Sequence, residues 1–130
     1  MNHDENEKEF PSTRAKGDEG EELAVELLKG KGFEIIERNY RYGKGEIDII
    51  AKDTAKGFLV FVEVKSRKNL EFGEPEYAIT QKKIKQIKKI AELYLYEKNI
   101  KEADCRFDVV AIQFGQSAKP QLNYYENAFE

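Results

Sequence analysis

The sequence is short of nearly everything that would place the chain outside the cell or in a membrane. It has one cysteine, Cys105, in 130 residues. No internal disulfide and no cysteine-based metal site can therefore form, and Cys105 reads as a small buried residue at a strand start. Nowhere does an apolar run approach the ~20 residues of a membrane span. The first residues are polar, with no apolar stretch of the secretory kind, so a cytoplasmic location is the simplest expectation. Repeats and low-complexity segments are absent. Also missing is an overall excess of positive charge, since the formal net charge is −3. That deficit is global and not local. Residues 1–37 hold 5 basic and 11 acidic side chains, residues 38–89 hold 13 and 7, and residues 90–130 hold 4 and 7. The middle segment is basic, as a phosphate-binding surface requires, whatever the overall balance.

What is present suits one globular domain. Hydrophobic residues make up 40% and charged residues 36%, enough for a single core under a heavily solvated surface. The chain is organised around residues 45–67. Gly45-Glu46-Ile47-Asp48-Ile49-Ile50-Ala51 and Phe58-Leu59-Val60-Phe61-Val62-Glu63-Val64-Lys65-Ser66-Arg67 read as strands, joined by the turn-forming Asp53-Thr54-Ala55-Lys56-Gly57. By alternation Glu46, Asp48 and Ile50 share one face of the first strand, and Phe61, Glu63 and Lys65 share one face of the second. Charges inside such apolar strands are costly unless paired or bound to a metal. With Asp48 beside Glu63 the two acids repel, and a divalent cation such as Mg²⁺ relieves them. Lys65 on the same face would orient a water or stabilise charge on a phosphate. This is the pattern of a phosphodiesterase. The competing reading is a buried salt-bridge cluster.

Around this hairpin the other elements follow. Residues 1–16 are expected to be a flexible polar tail, with His3 an ordinary solvated residue and Pro11-Ser12-Thr13 a breaker. A helix is expected over Gly17–Lys31, with Leu23, Ala24, Leu27 and Leu28 as its apolar stripe. Glu21 falls on that stripe, either as a first-turn acid favoured by the helix dipole or as a third acid near the metal. Phe33–Tyr42 reads as a strand with Phe33, Ile35 and Ile36 inward. Near its end Arg38, Arg41 and Lys44 interleave with Tyr40 and Tyr42, which suits nucleic acid or, equally, ion pairs and core edge. A second helix from Ala78 or Thr80 to about Tyr96 would bury Ile84, Ile87, Ala91 and Leu95, with Thr80 as a cap. Its lysines 82, 83, 85, 88 and 89 mark either a solvated face or a phosphate contact. Asn69–Glu76 is a loop beside the site. Arg106–Phe114 and Leu122–Tyr125 are further strands, Asp108 is a structural partner for Arg106 or Arg38, and Phe129 docks as a terminal aromatic.

Asp48 followed a strand later by Glu63-Val64-Lys65 resembles the D…(D/E)-x-K signature of the restriction-endonuclease-like nucleases. Many of those carry a proline before the aspartate, where this chain has Glu46-Ile47. The wider text resembles one bacterial family of endonuclease-like proteins, the YraN family, which is similar in pattern to archaeal Holliday-junction resolvases. The likeness rests on Gly20-Glu21 with Ala24, Arg38-Asn39-Tyr40-Arg41, Gly45-Glu46-Ile47-Asp48, Phe61-Val62-Glu63-Val64-Lys65-Ser66-Arg67, Phe72-Gly73, Lys83 with Ala91, Arg106-Phe107-Asp108-Val109 and Asn127-Ala128-Phe129.

The resemblance implies an α/β, restriction-endonuclease-like mixed sheet flanked by helices over residues 17–130, in the order αβββαββ. The strand-to-strand crossover through the second helix should be right-handed if the two strands are parallel. It implies metal-dependent hydrolysis of DNA, branched DNA included. Asp48, Glu63, the Val64 carbonyl and, as a weaker candidate, Glu46 would hold Mg²⁺ or Mn²⁺. Lys65 and Glu21 would complete the catalytic set, and Arg38, Arg41, Lys44, Arg67 and Lys83 would contact nucleic acid. Resolvase-like relatives act as dimers, so a homodimer is a further expectation. The alternatives are a non-catalytic nucleic-acid-binding module that keeps the site, and an interaction protein with an ion-pair cluster.

Overall fold

Strand alternation and helical stripes combine into a single five-stranded sheet with a helix on each face. The structure, a computed structural model, describes residues 12–67, 79–115 and 119–129, with the backbone alone for residues 12–18 and Arg67. The tail over residues 1–11 and the loop beside the site lie outside the described residues. In chain order the elements are α1 (Ser12–Gly30), β1 (Phe33–Tyr42), β2 (Gly45–Asp53), β3 (Phe58–Arg67), α2 (Gln81–Glu97), β4 (Cys105–Gln113) and β5 (Gln121–Tyr125). The sheet order is β1-β2-β3-β4-β5. Only β3 and β4 pair in parallel; the other neighbours are antiparallel. A parallel pair needs a long crossover, and α2 lies within it. The fold is thus the expected mixed α/β sheet flanked by helices.

Three details depart from the sequence reading. First, α1 begins at Ser12 and takes in residues assigned to the tail. The breaker expected at Pro11-Ser12-Thr13 does not stop the helix at Ser12 and Thr13, because a proline breaks a helix from its interior and is tolerated ahead of the first turn. Second, Ile36 is exposed, at a register shift between Ile35 and Glu37 that turns it out of the alternation. Third, α2 is rotated about its axis. Thr80 caps it as expected, its Oγ1 accepting the Lys83 N–H at 3.1 Å. The residues it buries, however, are Ile87, Ile90, Ala91 and Tyr94, while Ile84 and Leu95 are only half-buried. Two contacts favour the rotation. Tyr94 sits edge-on to both Tyr40 and Phe61, and Ile90 packs on Gly45, where a Cβ would run into its Cδ1.

Two cores result, one on each side of the sheet. Ala24, Val25 and Leu28 of α1 pack on Ile49, Ala51, Val60, Val62, Val110 and Ile112. On the other side, Ile87, Ile90, Ala91 and Tyr94 of α2 pack on Tyr40, Ile47, Ile50 and Phe61. Phe129 stacks on Phe107, which stacks on Phe61, so the terminal aromatic docks as expected.

A buried ionic network ties the sheet together beyond the end of α1. Arg106 and Asp108 are 4% and 0% exposed. Arg106 Nε and Nη2 each donate to an Asp108 oxygen at 3.0 Å, and Nη1 donates to Asp53 Oδ2 at 3.1 Å. Asp108 also accepts the Tyr124 hydroxyl and, at 2.8 Å, the Asn127 N–H. The guanidinium lies over the Phe33 and Phe58 rings. Asp108 is therefore structural, with Arg106 as its partner.

Arg106→Met should cost about 3–5 kcal/mol in urea unfolding, because Asp108 is left charged and buried. A loss below about 1 kcal/mol would show the network to be dispensable. Gly45→Ala should cost about 1–3 kcal/mol by the same measurement, through the collision with Ile90. A neutral result would mean that α2 can shift freely over β2.

Candidate functional site

The strands part at Asp48. Pairing of β1 with β2 runs through Glu37–Ile50 and Arg38–Ile49, passes over Asn39 opposite Asp48, and resumes at Tyr40–Ile47. Asn39 has φ 56°, a left-handed conformation that asparagine tolerates better than most residues. On the other edge, pairing of β2 with β3 runs from Asp53–Phe58 to Ile49–Val62 and stops. β3 continues beside β4 to Arg67–Gln113. Past the stop, Asp48 Oδ2 accepts the Val64 N–H at 2.8 Å, so a side chain takes the place of a ladder partner. The interruption also breaks the alternation of β2. Ile49 and Ala51 face the α1 side, whereas Ile47 and Ile50 both join the α2 side. The expectation that Glu46, Asp48 and Ile50 share a face by simple alternation is therefore corrected: the period of two does not carry through Asp48.

Glu63 stands two residues before Lys65 on β3, with its side chain 14% exposed. It stands against Asp48 across the end of the β2–β3 ladder, and both carboxyls are pushed well above the usual range. For Glu63 the causes are burial and then the charge of Asp48, opposed by Lys83 and, more weakly, by Lys65. For Asp48 the cause is burial, opposed by the Val64 amide and reinforced by the charges of Glu46 and Glu21. Two acids held this close cannot both ionise without a proton or a cation between them.

α1 contributes Glu21. Its spacing to Ala24, Val25 and Leu28 places it on the buried stripe, and it is 13% exposed. Oε1 accepts from Asn39 Nδ2 at 3.3 Å and lies 3.5 Å from Arg38 Nη2. Oε2 is buried and, among the described residues, is the one such side-chain atom without a hydrogen-bond partner. The close approach of α1 to β3 depends on Gly20, where a Cβ would run into Ser66 Oγ. Asp48, Glu63, Lys65 and Glu21 thus come to one end of the strands. Among the described residues no three acid, histidine or cysteine side chains stand close enough to form a cage. The Asp48–Glu63 pair is the available ligand set. It matches Mg²⁺, which takes one or two carboxylates and keeps its waters.

The residues expected to touch nucleic acid are distributed differently. Arg38 pairs with Glu22 at 2.9 Å as well as with Glu21, and so braces β1 against α1. Arg41 is 71% exposed and 3.6 Å from Glu46, the weaker ligand candidate, whose charge also acts on Asp48. Lys44 is exposed in the β1–β2 turn, next to the Gly45–Ile90 contact, so it lies beside α2. Lys82, Lys85 and Lys89 form an exposed line along α2 at i, i+3 and i+7. The Arg67 side chain is outside the described residues. Lys83 is turned inward, its Nζ 3.8 Å from Glu63 Oε2. Sequence reasoning missed that orientation and the place of Asn39. The first had a signal, since Lys83 falls at i, i+4, i+7 and i+11 with Ile87, Ile90 and Tyr94.

Comparison with known proteins places this arrangement in a family. Residues 20–112 match the model of the uncharacterised protein family UPF0102. That span runs from Gly20 through the whole candidate site to β4. A UPF0102 protein of Geotalea daltonii is 48% identical over 114 residues, covering 88% of each chain. One from Trichlorobacter lovleyi is 41% identical over 90% of this chain and 91% of its own. Another, from Caldicellulosiruptor saccharolyticus, is 44% identical over 89% of this chain and 98% of its own. The chain belongs to the UPF0102, or YraN, family.

Proposed function

We propose that the protein hydrolyses DNA phosphodiester bonds, branched DNA included, with Mg²⁺ or Mn²⁺ held by Asp48 and Glu63. The observation that carries the reading is the like-charge pair itself. Two half-buried carboxyls stand against each other at a break in the sheet, with lysines on two sides and, nearby, a Glu21 Oε2 that has no partner among the described residues. The Val64 carbonyl is a further ligand candidate. A structural ion-pair cluster would be internally satisfied, as the Arg106 network is. When bound, the cation would acidify a water and neutralise charge on the scissile phosphate. Lys65 would orient the attacking water. Glu21 would act through a water, since no three-acid cage forms among the described residues. The exposed lysines of α2, with Lys44 and Arg41, supply a basic ridge for a phosphate backbone.

Asp48→Ala and Lys65→Ala should each lower Mg²⁺-dependent cleavage of duplex and four-way-junction DNA by about 10²–10⁴-fold, with the fold intact. Cleavage at the wild-type rate in both variants would sink the mechanism. Salt-sensitive DNA binding without any Mg²⁺-dependent cleavage would make the protein a binding module instead. The paired acids also predict a pH dependence. Carboxyls raised by folding hold protons more tightly in the native chain than in the unfolded one, so their contribution to stability is lost as pH rises through the raised values. At about pH 8, Glu63→Gln should melt above wild type, by roughly 2–4 °C for each kcal/mol of repulsion relieved. Near 4.5, the ordinary glutamate value, the two should coincide. Added Mg²⁺ should raise the melting temperature of wild type at the higher pH and leave the variant unchanged. Equal melting of the two proteins at both pH values would refute the repulsion.

A further inference from the structure

Lys83 differs from the exposed lysines of α2, Lys82, Lys85 and Lys89. The helix turns it into the row occupied by Ile87, Ile90 and Tyr94, at the end nearest Glu63. Its neighbours Lys82 and Lys85 face solvent. The backbone beneath it is fixed, because its N–H donates to the Thr80 cap and the next turns are locked by Ile90 on Gly45 and Tyr94 on Tyr40. The head of the side chain is not fixed. Lys83 is 40% exposed, and at 3.8 Å its ammonium lies beyond hydrogen-bond distance of the Glu63 carboxylate. The contrast with Arg106 is sharp: that guanidinium is 4% exposed and donates to two carboxylates at about 3 Å. Arg106 is a charge built in, whereas Lys83 is a charge on a flexible stem, attracted without being locked.

We propose that Lys83 is a movable counter-cation of the site, which competes with the divalent metal for Glu63 and yields the carboxylate when the metal binds. This rests on the metal-site reading above and deepens it. A cation arriving at Asp48 and Glu63 meets a carboxylate already partly neutralised, so displacing the ammonium weakens apparent metal affinity. The same ammonium keeps the paired acids tolerable until the metal arrives. Once displaced, it remains at the mouth of the site beside the exposed lysine line. Lys83 is therefore a positioning residue that acts through Glu63.

The test is Mn²⁺ titration by calorimetry on the full chain, comparing wild type, Lys83→Met, Lys83→Arg and Asp48→Ala. Lys83→Met should bind Mn²⁺ more tightly than wild type by about fivefold, the equivalent of the ~1 kcal/mol of a partly exposed ion pair. Lys83→Arg should bind like wild type, because the charge is kept. A lysine that only contacts DNA, or only supports the helix, predicts no tightening. Equal or weaker binding by Lys83→Met, with Asp48→Ala losing the metal, would overturn the competition and leave the metal site standing. Absence of Mn²⁺ binding in both wild type and Lys83→Met would overturn the metal site and this inference together. Both substitutions are at a partly exposed position, and a melting curve for each confirms that the folded protein is being titrated.

Discussion

Where β2 and β3 stop pairing, the N–H of Val64 would have no acceptor, and the carboxylate of Asp48 supplies one. A buried amide left unsatisfied costs about 1–3 kcal/mol, so this contact belongs to the fold as much as to the site. It fixes Asp48 at the break, and the break fixes everything around it. Asn39, opposite on β1, adopts a left-handed conformation and donates to Glu21, which brings the acid of α1 within electrostatic reach of Asp48. Glu63, the residue after the last paired position, Val62, then lies against Asp48, with Lys83 Nζ 3.8 Å from its carboxylate. One interruption in a ladder gathers acids from three elements.

The sheet carries two sets of buried charge, and their contrast separates structure from function. Arg106 pairs in register with Val60 and Glu63 with Val109, so the sets lie only three residues apart along β3. In the first set, Arg106 donates to both oxygens of Asp108 and to Asp53, and Asp108 is further satisfied by Tyr124 and Asn127. In the second, acids face acids, cations stand off at ion-pair range, and one oxygen of Glu21 has no partner among the described residues. Both sets bear the desolvation cost of burial. Among the described residues, only the first is offset from within the chain.

Strand positions were legible because alternation and β-branched composition report half-buried pleated surface directly. β1 and β3 were read with their observed bounds. The acids of the site were legible for the opposite reason, as residues that break the local pattern. Glu21 on an apolar stripe and Asp48 and Glu63 within Ile- and Val-rich strands are each anomalous where they stand. What the sequence hid was set by contacts between elements. The rotation of α2 depends on Gly45 admitting Ile90 and on Tyr94 reaching Tyr40, and neither contact leaves a mark in the periodicity of the helix alone. The turn of Lys83 toward Glu63 was hidden for the same reason. The lost alternation at Asp48 was hidden too, because it arises from unpaired neighbours on both adjoining strands.

The buried carboxylate of Asp108 has a consequence for how the molecule is made. Its partners Tyr124 and Asn127, and the Phe129 ring that covers Phe107, all come from β5 and the turn after it. Asp53, which shares Arg106, is 53 positions earlier in the chain. During vectorial synthesis both helices and four strands of the sheet emerge before these last groups exist, so until then β4 carries an acid whose one partner on its own strand is Arg106. Closure of such sequence-distant contacts is slow and comes late. Commitment to the native topology therefore waits for the C-terminal hairpin.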